Sequence, residues 1–130
     1  MDVECPYCGK LAGLVDSEEV YRESHGNIWM CRPCQAWVGV HKNDGKNRPL
    51  GNLANAETRR ARKMAHARFD PIWQERVGKQ GAKQQVRGDA YAWLASHLGL
   101  HVNQCHIALF DLATCVRVIE ICVSETYGDV

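Results

Sequence analysis

Short apolar runs separated by turn-forming residues fill the first part of the chain. Four such runs occur, at residues 11–15, 19–21, 28–30 and 37–41. Runs this short, bounded by glycine and small polar residues, are typical of β-strands. The pattern therefore predicts four short strands. The polar stretch that follows (HKNDGKNRP) predicts a loop, and we place a module boundary there, at residue 45.

From Asn52 onward the spacing of apolar residues becomes helical. Ala61, Ala65 and Phe69 recur every four residues and therefore share one face of a helix. Either Asn52 or Asn55 is suited to cap the start of this helix, because its side chain can accept a bond from a free backbone N–H. The pattern predicts one long helix in this region.

Proline and glycine set the limits of the next predicted elements. Pro71 is expected to stop or kink the long helix. Asp70 followed by Pro71 is typical of the cap and first position of a second, short helix, which would carry Trp73 and Val77. Residues 78–88 (GKQGAKQQVRG) have no regular apolar spacing and indicate a mobile basic connector.

The last third of the chain predicts a helical hairpin. Asp89 is suited to cap its first helix, which ends before Gly99, and Asp111 is suited to cap its second helix. The faces expected to be buried are Tyr91, Leu94, Ala95 and Leu98 in the first helix, and Leu112, Cys115, Val116, Ile119, Cys122 and Val123 in the second.

The cysteines provide the clearest chemical pattern. Four of the seven form two close pairs, Cys5 with Cys8 and Cys31 with Cys34, and 22 residues separate the pairs. Two residues between paired cysteines allow both sulfur atoms to reach one tetrahedral ion. The sequence therefore predicts one structural Zn²⁺ ion bound by these four thiolates.

Other cysteine chemistry gives the alternatives. An odd number of cysteines and an acidic N-terminus unlike a secretory signal favour metal binding in a reducing compartment over a disulfide framework. A thioredoxin-like redox pair would need a βαβ pattern that the predicted elements lack, and an iron–sulfur centre is the remaining rival. Four protein ligands leave no open position on the zinc ion, so the site favours a binding protein over an enzyme.

Together these patterns predict an α+β protein of two parts. Residues 1–45 form a Cys₄ zinc ribbon of short antiparallel strands, and residues 46–130 form a helical region packed against it. That region consists of the long basic helix followed by the hairpin. No apolar run approaches the roughly 18 residues needed to cross a bilayer, so we expect no membrane partner.

The net charge of +1 conceals an uneven distribution of charge along the chain. Residues 1–45 carry four basic and seven acidic side chains, and residues 88–130 carry one basic and five acidic side chains. Residues 46–87 carry eleven basic and three acidic side chains, a net charge of +8. This segment indicates an anionic partner, either nucleic acid or an acidic protein surface.

The predicted contact residues lie on the long helix and in the connector. They are Arg59, Arg60, Arg62, Lys63, His66, Lys79, Lys83 and Arg87. Arg59, Arg62 and His66 are spaced to form one stripe on the helix, and such a stripe can contact phosphates without selecting a base sequence. The alternative is a solvated helix face that has no partner.

A metal-dependent nuclease is a further hypothesis. His41, His66 and Asp70, near a zinc knuckle, supply the residue types that such an enzyme uses. Their spacing matches no nuclease motif, and Asp70 lies four residues after His66, where a simple pairing of the two on the helix explains both. The sequence therefore names no catalytic residue.

The chain also resembles a known family in several stretches. These are CPYCG, WMCRPCQAWVGVHK, RPLGNLANAETRRARKMAHARFDPIW and AYAWLASHLGL…CHIALFDLATC. They are similar to the small zinc-finger-containing proteins of bacteriophages and prophages, over nearly the whole chain. The resemblance implies a phage origin and a zinc ribbon. It implies little about mechanism, because the family has no settled biochemical activity.

The leading hypothesis is a non-catalytic phage accessory protein that binds DNA or RNA in the cytoplasm of a bacterial host. The runner-up is an inhibitor that binds an acidic surface of a host protein, for instance of a defence complex. The nuclease is third. The choice between DNA and RNA and the oligomeric state stay open.

Overall fold

A three-stranded antiparallel sheet lies in the N-terminal part of this computed structural model, and three α-helices follow it along the chain. The structure describes residues 1–127. Contacts divide the chain into two compact units, Met1–Arg59 and Arg60–Val130, which we call the ribbon unit and the helical unit. The predicted α+β class is confirmed.

The sheet belongs to the ribbon unit and has the strand order β1-β2-β3. Its strands are β1 at Gly13–Asp16, β2 at Asn27–Cys31 and β3 at Ala36–Gly39. Trp29 on β2 lies opposite Leu14 of β1. Met30 on β2 lies opposite Trp37 of β3. Three of the four predicted strands therefore form.

The strand predicted at residues 19–21 is wrong. Ser17–Glu19 forms a 3₁₀ turn, because the Asp16 carboxylate accepts a hydrogen bond from the Glu18 N–H at 2.8 Å. The buried Ser17 hydroxyl accepts a second bond, from the His25 N–H at 2.6 Å. These local bonds hold the connection between β1 and β2 as a turn.

The chain after β3 stays in contact with the sheet. Trp37 and Ala54 exchange two backbone hydrogen bonds of 3.1 and 3.0 Å, and Leu53 is buried in the small apolar core of the ribbon unit. The division between the units therefore lies further along the chain than the boundary predicted at residue 45.

The long helix α1 spans Ala56–Gln74. Asn55 caps it as predicted, with its side-chain oxygen 3.0 Å from the Thr58 N–H. The prediction of a second helix starting at Pro71 is wrong, since Pro71 lies inside α1. Proline removes one bond, to the carbonyl of Ala67, and Ala67 is exposed, so water can replace the missing donor.

Helix α2 spans Lys83–Leu98, so the second half of the predicted connector is helical. Asp89 lies inside α2 and does not cap it; the N-cap position is Ala82, which offers no side-chain acceptor. Gly99 ends the helix as predicted, with a φ of +70° that glycine adopts without steric penalty. The start of α2 was missed because no capping residue marks it.

Helix α3 spans Leu112–Ser124, and Asp111 caps it as predicted. Its predicted buried face is partly wrong, because Val116 and Val123 are exposed. The residues buried on α3 are Cys115, Val118 and Ile121. Apolar residues surround most of this helix, so their spacing alone does not fix its rotation.

The three helices share one apolar core in the helical unit. Its buried members are Ala61, Ala65, Phe69, Trp73, Val86, Ala90, Tyr91, Leu94, Ala95, Cys105, Ile107, Phe110, Cys115, Val118 and Ile121. Of the helices within residues 1–127, none combines the length and the apolar character that crossing a membrane requires.

Candidate metal centre and basic surface

Two tight turns present the paired cysteines. In the first, the Cys5 N–H donates to the Lys10 carbonyl and the Gly9 N–H donates to the Cys5 carbonyl, both at 2.8 Å. Gly9 has a φ of +76°, a left-handed conformation that suits glycine. In the second, Cys31 is the last residue of β2, and Cys34 lies in the turn that leads to β3.

The four sulfur atoms converge on one point. All of them lie within 4.8 Å of one another, and the Cys8 and Cys31 sulfurs are 3.7 Å apart. A tetrahedral zinc ion with Zn–S bonds of about 2.3 Å places its sulfurs about 3.8 Å apart, and thiolate is a preferred zinc donor. The donor set and its spacing therefore fit one zinc ion with four protein ligands.

The electrostatics of the cysteine cluster favour the binding of a cation. A bond from the Lys10 backbone N–H lowers the pKa of Cys8, because it stabilises the thiolate. Desolvation and the neighbouring sulfurs raise the pKa of Cys34 to about 12. Four thiolates this close repel one another, and a divalent ion offsets that repulsion and keeps all four deprotonated.

The first cysteine turn also holds the start of α1. Tyr7, between Cys5 and Cys8, donates its hydroxyl proton to Thr58 Oγ1 at 2.9 Å. The same hydroxyl accepts a bond from the Asn55 N–H at 3.1 Å. The metal site and the first turn of α1 are therefore linked by one side chain within the ribbon unit.

Two of the predicted contact arginines have intramolecular partners. Arg59 donates to the Ala54 carbonyl at 2.5 Å, and its guanidinium carbon lies 3.4 Å from the centre of the Trp37 ring. Arg62 is half-buried and donates to the Phe110 carbonyl at 2.9 Å. These contacts stabilise the ribbon unit and the helical unit respectively, and the contact role predicted for both residues stays a prediction.

Five of the other predicted contact residues are exposed cations. They are Arg60, Lys63, Lys79, Lys83 and Arg87. Among residues 1–127, none of these five cations is paired with a carboxylate. We call these five residues the cation surface. All five belong to the helical unit.

An open cleft of about 670 Å³ lies between α1 and α2 in the helical unit. It is lined by His66, Asp70, Trp73, Gln74, Lys83, Gln84 and Arg87. The sequence did not predict this cleft, because residues 78–88, which include Lys83 and Arg87, indicated a mobile connector. The spacing of Lys83, Arg87 and Ala90 was the signal available, since positions i, i+4 and i+7 share one helical face.

The predicted pairing of His66 with Asp70 is replaced by other bonds. His66 Nδ1 lies 3.0 Å from the Arg62 carbonyl, and an Asp70 carboxylate oxygen accepts the Trp73 indole N–H at 3.1 Å. His41, in the ribbon unit, donates its backbone N–H to the Arg48 carbonyl at 2.8 Å.

The sheet and the cysteine cluster define a small zinc-ribbon protein. Residues 1–125 match the family model of the zinc-finger-containing domain DUF3268, and the chain belongs to this family. No curated protein and no solved structure matches the chain. With the family and the geometry in agreement, the prediction of one structural zinc ion is confirmed.

Proposed function

We propose that this chain is a phage or prophage accessory protein that binds nucleic acid in the cytoplasm of a bacterial host, without catalysing a reaction. One observation carries the proposal. The cation surface consists of five exposed basic side chains, none of which is paired with a carboxylate in the described part of the chain. The zinc ion stabilises the ribbon unit and takes no part in binding.

Unpaired cations on one unit are a physical argument for a polyanionic partner. Like charges repel one another in the free protein, and an anion with regularly spaced charges relieves that repulsion. A nucleic-acid backbone provides such charges and releases its condensed counterions on binding. Contacts of this kind do not distinguish bases, so the proposal covers both DNA and RNA.

The register of α1 supports a continuous surface. Lys63, His66, Asp70 and Gln74 are three or four residues apart and therefore follow one side of the helix. The last three of them line the cleft whose other wall carries Lys83 and Arg87. The exposed Lys63, the cleft and the start of α2 are thus neighbours along the surface of the helical unit.

Binding accounts for these residues better than catalysis does. His66 and Asp70, the residues of the nuclease hypothesis, each bond to another protein group, the Arg62 carbonyl and the Trp73 indole. A general base needs its reactive atom within hydrogen-bond reach of substrate, and the Asp70 oxygen that faces Trp73 is already engaged. We therefore assign these side chains to the shape and charge of a binding surface.

The test is fluorescence anisotropy of the zinc-loaded protein with labelled single- and double-stranded DNA and RNA. Measurements at about 50 and about 200 mM salt cover the range in which several phosphate contacts reduce affinity by orders of magnitude. A variant with Arg60→Gln, Lys63→Gln and Lys79→Gln should bind more weakly. Its slope of log K against log salt on duplex should fall by about 0.9 for each lost contact.

Arg117→Gln is the matched control, because Arg117 is an exposed cation on α3 outside the cation surface. It should leave affinity and salt slope near those of the unmodified protein. No binding at the lower salt would overturn the proposal and favour the alternative, an acidic surface of a host protein. A loss in the control as large as the loss per substituted charge in the triple variant would show that net charge, rather than this surface, determines binding.

A further inference from the structure

We infer that the cleft between α1 and α2 is a pocket for a phosphomonoester group, carried by the end of a nucleic-acid strand or by a free nucleotide. The inference rests on the proposed function and specifies one ligand group for the cleft within the proposed binding surface. Lys83 and Arg87 of α2 line the cleft together with His66 of α1, whereas Arg60, Lys63 and Lys79 of the cation surface lie outside it.

The shape of the cleft sets it apart from the rest of the cation surface. Its volume of about 670 Å³ is within the range of small-molecule sites, which is roughly 300–1,000 Å³. A backbone that lies along an exposed helix needs no such recess. A group at the end of a strand, or on a free nucleotide, protrudes and can enter one.

Aromatic rings lie beside the two cations of α2. The Lys83 ammonium and the Arg87 guanidinium each lie 5.8 Å from the centre of the buried Trp73 ring. Arg87 also lies 4.8 Å from the centre of the Tyr91 ring. A guanidinium over a ring face keeps the N–H groups at its edge available, and these match the oxygens of a phosphate.

His66 adds one ring nitrogen from the α1 wall. When Nδ1 carries the proton that the Arg62 carbonyl accepts, Nε2 of the neutral ring is an acceptor, and it can accept the hydroxyl of a singly protonated phosphomonoester. Among residues 1–127, Asp70 is the one carboxylate that lines the cleft, and one of its oxygens accepts a hydrogen bond from the Trp73 indole N–H. The described lining thus places the two cations Lys83 and Arg87, with the His66 ring, against one acid.

A phosphomonoester fits this lining better than a phosphodiester does. It has three terminal oxygens and a charge of about −1.5 to −2 near neutral pH, whereas a backbone phosphate carries one charge. Lys83 and Arg87 can each donate to one oxygen, and His66 Nε2 can accept the hydroxyl of the monoester, a group that a diester lacks. The first turn of α2 contains no acidic residue, so the positive end of its dipole adds to the attraction.

The test compares three single strands of identical sequence, about 12 nucleotides long, which is within the usual site sizes for single strands. One carries a 5′-phosphate, one a 3′-phosphate and one no terminal phosphate, and an internal fluorophore leaves both ends free. A terminal phosphate should strengthen binding by about tenfold or more, as expected for charge-assisted hydrogen bonds. Lys83→Gln and Arg87→Gln should each remove most of this gain, and Arg117→Gln should retain it.

Helical circular dichroism and zinc content of each variant separate loss of binding from loss of fold. Because Arg87 contacts two rings, Lys83→Gln is the decisive variant if Arg87→Gln is unstable. A nucleoside monophosphate that competes as well as the phosphorylated strand would support the pocket and identify a free nucleotide as its ligand. A phosphoserine peptide that competes better than the nucleotide would overturn the nucleotide assignment.

The outcomes also separate this inference from the proposed function. Equal, salt-sensitive binding of all three strands would overturn the pocket and leave nucleic-acid binding in place. A mononucleotide that binds at the lower salt when no strand does would support the pocket and overturn the proposed function. If neither the strands nor the mononucleotide bound at the lower salt, both the phosphomonoester pocket and the proposed function would be overturned.

Discussion

The two units of this chain are stabilised in different ways. Over the described residues, the apolar core of the ribbon unit contains six buried side chains, two of which are the zinc ligands Cys5 and Cys31. The core of the helical unit contains fifteen, drawn from all three helices and from the segment between α2 and α3, and no metal ligand is among them. The ribbon unit therefore depends on its metal ion, whereas the helical unit depends on apolar burial.

This difference has a general cause. A segment of about 60 residues with short strands buries too little apolar surface to fold securely, and a structural metal supplies the missing free energy. Three helices of 13 to 19 residues can bury a continuous apolar stripe each and need no such ion. The indole N–H groups allow the folding of each unit to be followed separately. Trp29 and Trp37 lie in the ribbon unit, and Trp73 and Trp93 lie in the helical unit.

Removal of zinc should have the largest effect. A structural zinc site contributes on the order of 10 kcal/mol or more to folding, so chelation or Cys31→Ser should unfold the ribbon unit. The indole resonances of Trp29 and Trp37 should move to unfolded positions, because their bonds to the Asn47 carbonyl and the Tyr21 hydroxyl are lost. Those of Trp73 and Trp93 should stay, as heteronuclear NMR would record.

Cys122→Ser is the matched control for this prediction, because Cys122 is a half-buried cysteine of α3 outside the cluster. It should leave one zinc ion per chain. Collapse of all four indole signals on chelation would show that the helical unit also requires the metal, and would contradict the contrast drawn between the units.

The reverse experiment removes a side chain from the helical core. Phe69 is fully buried, and its ring centre lies 4.6 Å from that of Tyr91. Phe69→Ala should destabilise the helical unit by about 3–5 kcal/mol, through lost burial and the cavity that remains. The Trp73 and Trp93 signals should then be lost at lower denaturant concentration, while zinc content stays unchanged.

Met64→Ala provides the comparison on the same helix. Met64 is 54% exposed, so its truncation should change the free energy of unfolding by less than about 0.5 kcal/mol. If both variants behaved alike, α1 would not contribute its Phe69 face to the core as the structure has it.

The features that sequence alone predicted are governed by local chemistry. The two cysteine pairs, the Asn55 and Asp111 caps and the turn at Gly99 each depend on residues a few positions apart. A cap or a zinc knuckle satisfies its own backbone groups, so its spacing is visible in the chain. The confirmed zinc site is the clearest case.

The features that were missed depend on distant partners. Arg59 is held by Trp37 and the Ala54 carbonyl, and Arg62 by the Phe110 carbonyl 48 residues away, and no local pattern marks either contact. The start of α2 has no capping side chain, so apolar packing rather than a local cap keeps it helical. The start of α2 forms one wall of the cleft, so the cleft could not be predicted without that helix.

Arg59 offers a smaller test of how the ribbon unit is held together. Arg59→Ala removes the contact with the Trp37 ring and the bond to the Ala54 carbonyl, which should reduce the stability of the ribbon unit by about 1–2 kcal/mol. Zinc affinity should fall with it, as measured by competition with a chromogenic chelator. Arg60→Gln, at the next position and exposed, should leave zinc affinity unchanged.

The smallest predicted effect is at the cap of α3. The Asp111 carboxylate accepts bonds from the Thr114 hydroxyl at 2.7 Å and the Thr114 N–H at 2.9 Å. These bonds, the hydroxyl bond first, lower the pKa of Asp111. Asp111→Ala should destabilise the helical unit by about 1 kcal/mol at neutral pH, as measured by denaturant unfolding.

The direction of the pH dependence follows from the lowered pKa. The ionised carboxylate stabilises the folded state above the unfolded pKa of about 3.9, and this contribution is lost as pH falls through the lower folded pKa. The difference in unfolding free energy between the unmodified protein and Asp111→Ala should therefore narrow below about pH 4. Asp111→Asn keeps an acceptor but does not titrate, so its difference in unfolding free energy from Asp111→Ala should not depend on pH. Zinc is released in acid because its thiolates are protonated, so unfolding is best followed at Trp73 in the helical unit. If the difference in stability between the unmodified protein and Asp111→Ala stayed constant into acid, the charge of Asp111 would not stabilise α3.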